Sequence, residues 1–453
     1  LSLHFSRDLS GRTSILRGAF EPSSGAPSRG HEINEERARC SRPTVKMKME
    51  SSEESAAVAA MSGQPSKLEL LVCASCALYI FYYVLVMERR PRLICRPGHM
   101  RRFMKDTFGD LLGSYYRTPI WCIGANLQSL VSVLYQRRLP EVSYRREYLS
   151  LPDGGRLALD WLNEDAQGAV LLVLPGLCGD SQAYYLRSFV PLAESLGCPL
   201  VVMNGRGRGG LPLSTHRITH IPSVGDLTEV VDTVRRRYPN RSLVAVGYSL
   251  GGLLIGLYLA KFGEQARIDA ALAISTPFHL ATAKRNLEQW WNTNYGVLLY
   301  MASNLVEHLK ENEDVLRTTN VVNADAVLSC WTLGQFDKAY TAPVFGFSSP
   351  EELYEACSLK GKLSRVQRPM VFLMAGDDVF SSMHTFPSDE IINSRWLAAV
   401  VTPSGGHLGF VDGWLLPRPP FYSERFAAAY VRELLRVVSA RGSEGLANLG
   451  EDS

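Results

Sequence analysis

Neither sign of charge dominates this 453-residue chain, in which 48 Lys and Arg stand against 45 Asp and Glu, a formal net charge of +3. Basic residues are dispersed among acidic ones except in one cluster, so nucleic acid is not an indicated partner. The nine cysteines share no repeated spacing, and no second Cys or His pair completes a metal site. They are expected to be mostly reduced structural thiols. Cys73 and Cys76 have redox-motif spacing but fall inside an apolar run, where packing or lipid-facing residues are expected instead. The glycine-rich stretches "LPGLCGDS" and "NGRGRGG" lack the lysine and Ser or Thr of a P-loop, and neither fits the dinucleotide fingerprint. Nucleotide binding is not indicated, and no metal or organic cofactor is called for.

Long charge-free apolar runs are equally scarce. "LLVCASCALYIFYYVLVM", residues 70–87, is one, and a transmembrane anchor is expected over 67–88. It is just long enough to cross roughly 30 Å of hydrocarbon at about 1.5 Å per residue. Arg89, Arg90, Arg92, Arg96, Arg101, Arg102 and Lys105 come directly after it, whereas only Lys67 and Glu69 stand close before it. That asymmetry favours a cytosolic location for the domain on its carboxyl side. A cleaved signal peptide fits poorly, since no small-residue cleavage site comes after the run. Residues 1–66, rich in Ser, Glu, Arg, Gly and Pro, are expected to be disordered or leader sequence, with Met47, Met49 or Met61 as candidate starts. Residues 89–144 read as a linker and N-terminal helical region, and 441–453 as a disordered tail.

Between 145 and 440 the pattern becomes regular. "REYLSL", "PDGG" and "RLALDWL" form an expected hairpin. Buried strands "GAVLLVLPG", "PLVVMN", "SLVAVGYS", "IDAALAIST", "PMVFLMAGD" and "WLAAVVT" then alternate with helical segments. This implies an α/β fold with a mostly parallel sheet and helices on both faces. The alternation breaks at about 277–367, an expected helical cap inserted over the active site.

In such a sheet, reactive groups belong beyond the carboxyl ends of the strands. Ser249 sits there, between Gly247 and Gly251, where "SLVAVGYS" passes into an apolar helix. The small residues are needed where the strand and helix backbones approach each other around a strained serine. The helix start puts the backbone N–H of Leu250 near an oxyanion formed at the attacked carbonyl, and a turn at Gly176 would bring the Leu177 N–H as second donor. Asp378 and His407 end later strands, giving the order Ser, Asp, His. The imidazole can carry the serine proton and the carboxylate can hold its tautomer. Asp377 competes with Asp378, and spacing does not choose between them. Arg206 and Arg208 are either headgroup contacts or solvated loop residues. His384 and Asp389 match the H-x4-D spacing of glycerolipid acyltransferases, read here as coincidence.

From about 88 to 437 the chain resembles the membrane-anchored members of AB hydrolase family 4, in the lung alpha/beta hydrolase and phospholipase branch. The resemblance rests on "RTPIWCIGANLQSL", "DGGRLALDW", "LLVLPGLCGDSQAYY", "GYSLGGLL", "QFDKAYTAPVFGFSS", "AGDDVF" and "SGGHLGF". It implies the alpha/beta-hydrolase fold, Ser249 as nucleophile, Asp378 as triad acid and His407 as base. It also implies a single amino-terminal span at an endomembrane such as the endoplasmic reticulum, a luminal domain against the charge argument, and ester hydrolysis on membrane lipids, with phospholipid acyl esters as candidates. Acyl transfer to an alcohol by the same triad and a catalytically silent membrane adaptor are the competing functions.

Overall fold

The computed structural model describes residues 66–288 and 295–450. The expected leader and its candidate start methionines lie outside the described residues. A helix over Lys67–Tyr82 ends in a wider turn at Tyr83–Met87, and the whole of Lys67–Met87 is long and apolar enough to cross a membrane.

Nine strands form one sheet in the order β1-β9-β8-β7-β6-β4-β5-β3-β2. They span Arg92–Ile94 (β1), Arg145–Ser150 (β2), Arg156–Leu162 (β3), Val170–Leu174 (β4), Leu200–Asn204 (β5), Leu243–Tyr248 (β6), Ala270–Ile274 (β7), Met370–Ala375 (β8) and Leu397–Thr402 (β9). The run from β5 through β4, β6, β7 and β8 to β9 is parallel. The expected β2–β3 hairpin joins it antiparallel through β3 and β5. The near-continuous apolar character of the central strands results from coverage on both faces. Val170, Leu172 and Leu174 of β4 point into one core with the helices Val224–Arg237 and Leu250–Phe262, while Leu171 and Val173 point into the other with Tyr184–Glu194 and Tyr422–Ala447.

Three expected boundaries shift. Residues 89–144, expected as a linker and N-terminal helical region, carry the helices His99–Gly113 and Ala125–Gln136, but they are more than a linker, because β1 pairs antiparallel with β9 and the first helix buries Met100, Phe103, Met104 and Phe108. The expected disordered tail is ordered through Gly450: beyond a bend at Gly442 the closing helix resumes, and Leu446 is buried in the same core. The inserted cap has its own core of Leu305, Leu309, Val327, Phe336 and Tyr340, which also takes Leu213 and Ile218 from the loop after β5. Its last part, Leu353 to Val366, packs instead into the main core against the helix after β6, where Leu359 covers Gly256.

Candidate active site

Strand β6 ends at Tyr248 and the next helix begins at Leu250, leaving Ser249 as the whole of the turn. Its φ of 51° and ψ of −112° lie in a region a non-glycine residue rarely adopts. The neighbouring glycines explain how the chain tolerates this. A Cβ on Gly247 would stand 2.5 Å from the Gly251 carbonyl carbon, and one on Gly251 would stand 2.3 Å from the Leu174 carbonyl oxygen of β4. Both positions are closed to any side chain. The strain therefore sits on Ser249, whose hydroxyl points out of the turn.

Ser249 Oγ and His407 Nε2 are 2.8 Å apart. His407 Nδ1 lies 3.1 Å from each carboxylate oxygen of Asp378, whose side chain is fully buried. Asp378 Oδ1 also accepts the Phe380 N–H, and the Phe380 ring stands 4.3 Å from the imidazole, centroid to centroid. Asp377 turns the other way. Its Oδ1 accepts the Gly406 N–H at 2.9 Å, and burial pushes its carboxyl up to about 6. Of the two neighbouring acids, Asp378 contacts the imidazole and Asp377 holds the loop that carries it.

That loop is clamped from a distant part of the chain. The Ser129 hydroxyl accepts the His407 N–H at 3.1 Å and reaches the His407 carbonyl at 3.0 Å. Gly406 has a φ of 60°, and a Cβ on it would meet the Ala125 carbonyl at 2.2 Å, so the helix Ala125–Gln136 lies directly against the loop.

Leu250, as the first residue of its helix, has an N–H with no intrahelical acceptor. Leu177 lies in a turn closed by the Gly179 N–H donating to the Gly176 carbonyl. Gly176 serves by close approach more than by freedom of φ: a Cβ there would be 3.3 Å from the Ser249 Cβ, and the left-handed residue of the turn is Cys178. Leu177, Ser249 and Leu250 together border a cavity of about 90 Å³, walled mainly by apolar side chains including Leu253, Leu280, Leu287 and Met301.

A family model described as "alpha/beta hydrolase fold" matches residues 169–315. Phospholipase ABHD3 of Homo sapiens is 30% identical over 376 residues, which cover 81% of this chain and 90% of that protein. This chain belongs to the alpha/beta-hydrolase family. Among more distant relatives, Protein abhd-3.2 of Caenorhabditis elegans is 27% identical over 359 residues, 77% of this chain and 92% of its own length. Monoacylglycerol lipase ABHD2 of Mus musculus is 23% identical over 386 residues, 80% and 91% respectively.

Several residues of this hydrolase were not distinguished by sequence. Asp160 on β3 accepts two bonds from Arg146, one from Ser181 and one from Asn204, and the Asn204 amide oxygen accepts the Ser181 N–H. Burial alone would raise the Asp160 carboxyl, but these donors outweigh it and hold it below the usual range. The network fixes the chain just beyond the Leu177 turn. His220 also borders the cavity, fully buried, with both ring nitrogens free of protein hydrogen-bond partners and Nε2 4.0 Å from Asp337. Burial pushes its imidazole down, toward the neutral form. No motif marks it.

The two arginines read as either headgroup contacts or solvated loop residues differ in their surroundings, and only Arg206 departs from both readings. Arg206 is buried and forked onto Asp226 at 2.8 Å, with Asp153 at 2.7 Å, so it ties the loop after β5 to the helix Val224–Arg237. Arg208 borders a small pocket behind the Leu177 turn beside Cys178. Burial raises the Cys178 thiol, which keeps it protonated. His384 and Asp389 are not brought together with the triad, and neither borders the cavity.

Proposed function

We propose that this alpha/beta hydrolase is a membrane-anchored serine esterase that cleaves acyl esters of lipids, with phospholipids as its substrate class. The observation that carries this is the unbroken Ser249–His407–Asp378 chain of contacts opening onto an apolar cavity. Relatives named phospholipase and monoacylglycerol lipase support the lipid assignment, and the apolar Lys67–Met87 helix supports the anchor.

In this reading the acyl chain lies along Leu253, Leu280 and Leu287, with its ester carbonyl over Ser249. The Ser249 oxygen bonds to the carbonyl carbon while its proton passes to His407 Nε2. Asp378 accepts from Nδ1–H throughout, fixing the tautomer and stabilising the imidazolium. The Leu177 and Leu250 N–H groups receive the oxyanion. As the intermediate collapses, the imidazolium gives its proton to the departing lipid alcohol, leaving the acyl on Ser249. Water, deprotonated by His407, then releases the fatty acid and restores the serine. The apolarity of the cavity wall suits an acyl chain, and burying each CH2 is worth about 0.8 kcal/mol.

The test is labelling of the full chain in membranes by a fluorophosphonate, together with fatty acid release from phospholipid micelles. Wild type is expected to label, and Ser249→Ala to lose both label and turnover by a factor on the order of 10^6. Folded wild-type protein that neither labels nor releases fatty acid would sink the assignment. Addition of an alcohol acceptor distinguishes hydrolysis from transfer by product.

A further inference from the structure

The anchor helix and the catalytic domain touch through two tyrosines on one helix face. Tyr83 donates to the Thr118 carbonyl and Tyr79, one turn earlier, donates to the Ile120 carbonyl. Residues 118–121 therefore run alongside the last two turns of the span. The Lys67–Met87 helix has 21 residues, about 31 Å of length, which only just covers a hydrocarbon core of roughly 30 Å. Tyr79 stands eight residues before Met87, roughly 12 Å inside that end. A bilayer boundary that falls between Tyr79 and Met87 therefore runs beside residues 118–121.

The surface the domain exposes at this level carries an apolar and aromatic patch, edged by Arg117 and Arg418. Trp121 is 45% exposed, and in the loop 412–418 Trp414, Leu415 and Leu416 are 63%, 55% and 72% exposed. These pieces are joined to each other: the Ile120 N–H donates to the Trp414 carbonyl at 2.9 Å, and Trp121 Nε1 donates to the Leu415 carbonyl at 2.7 Å. The loop is built rather than slack. Gly413 donates to the Arg117 carbonyl, the Arg418 N–H returns to the Asp412 carbonyl, and the Asp412 carboxylate is paired with Arg425. Gly413 is required at its place, because a Cβ would meet the Leu416 carbonyl at 2.0 Å. Two exposed Trp beside two exposed Leu match the side chains that partition into the headgroup boundary of a bilayer.

We infer that Trp121 and the Trp414–Leu416 loop form a second membrane contact, a wedge that enters the same bilayer leaflet as the end of the anchor helix. Val411 at the root of the loop packs with Cys122 and Phe421, and the loop comes directly after the His407 segment. The wedge thus fixes the catalytic face against the lipid surface instead of leaving it to swing on a tether. The inference rests on the Lys67–Met87 helix spanning a membrane, as proposed above.

The test uses the full chain reconstituted in phosphatidylcholine vesicles, with and without lipids brominated near the glycerol end of the acyl chains. Bromine is expected to quench part of the tryptophan emission, and Trp414→Phe to remove a share of that quenching. A second variant carrying Trp414→Ser, Leu415→Ser and Leu416→Ser is expected to lose about tenfold in fatty acid release from vesicle lipid while cleaving a soluble short-chain ester at the wild-type rate. Equal quenching in wild type and Trp414→Phe overturns the wedge, as does a cross-link at residue 416 that joins two copies of the chain. Failure of the esterase reading would appear separately, as loss of the soluble-ester reaction in wild type, and the quenching measurement does not depend on turnover.

Discussion

Asp377 and Asp378 have the same side chain, occupy adjacent positions after β8, and meet different partners. Asp378 faces the imidazole with both oxygens, whereas Asp377 binds the Gly406 N–H and leaves its Oδ2 buried without a protein partner. Replacing Asp378 by Asn is expected to lower kcat on a soluble ester by about 10^4, because an amide can favour the wrong imidazole tautomer and cannot balance an imidazolium. Asp377→Asn keeps an acceptor for Gly406 and removes a carboxyl whose ionisation burial opposes, so its kcat is expected to stay within about tenfold of wild type. Kinetics of the two variants side by side check the assignment, and a larger loss from Asp377→Asn would reverse it. Spacing offered both acids without choosing, since the choice depends on how the chain turns after Ala375, and only the family resemblance pointed to Asp378.

Among the elements, the closing helix Tyr422–Ala447 and the helix Ala125–Gln136 are joined by a buried polar contact. Gln136 Nε2 donates to Glu424 Oε1 at 2.7 Å, and burial pushes the Glu424 carboxyl up from 4.5 to about 7. A carboxyl raised on folding contributes stability that is fully present below its unfolded value near 4.5 and is lost as pH rises through about 7. Glu424→Gln retains the acceptor without the charge. It is expected to leave stability unchanged at about pH 4.5 and to add about 3 kcal/mol at about pH 8, read as a shift in denaturation midpoint. A pH-independent difference between the two proteins would contradict this.

The same elements show what could be read from residue order. The serine turn was legible because its signal is local: a buried strand, a small residue on each side, and an apolar helix. The hairpin and the alternating strands were legible for the same reason. The Ser129 clamp was not, because its partner is 278 positions away, and neither were the pairing of β1 with β9 or the absorption of Arg206 by Asp153 and Asp226. His220 was hidden by the opposite cause. A buried histidine in a loop has no local mark until the cavity beside it is known.

At the scale of the whole molecule, the charges flanking the proposed anchor bear on the side of the membrane on which the domain would fold. Seven basic residues stand after the anchor between Arg89 and Lys105, whereas Lys67 stands close before it. This distribution favours the cytosol. Asn240 begins the sequence Asn-Arg-Ser and is exposed between the helix Val224–Arg237 and β6, so it is open to glycosylation wherever the machinery exists. The full chain made in mammalian cells is expected to show no mobility change on endoglycosidase treatment. A glycan at Asn240 would place the domain in the lumen.

The grip of Ser129 on His407 also bears on how small a working piece of this protein can be made. A segment cut to begin at β2 would keep the strands that carry Ser249, Asp378 and His407, yet it would lose the helix Ala125–Gln136 and with it the seat of the His407 loop. It would lose β1 as well, uncovering the edge of β9 to chance pairing with another chain. A segment that keeps both contacts therefore starts before residue 92, at the end of the Lys67–Met87 helix.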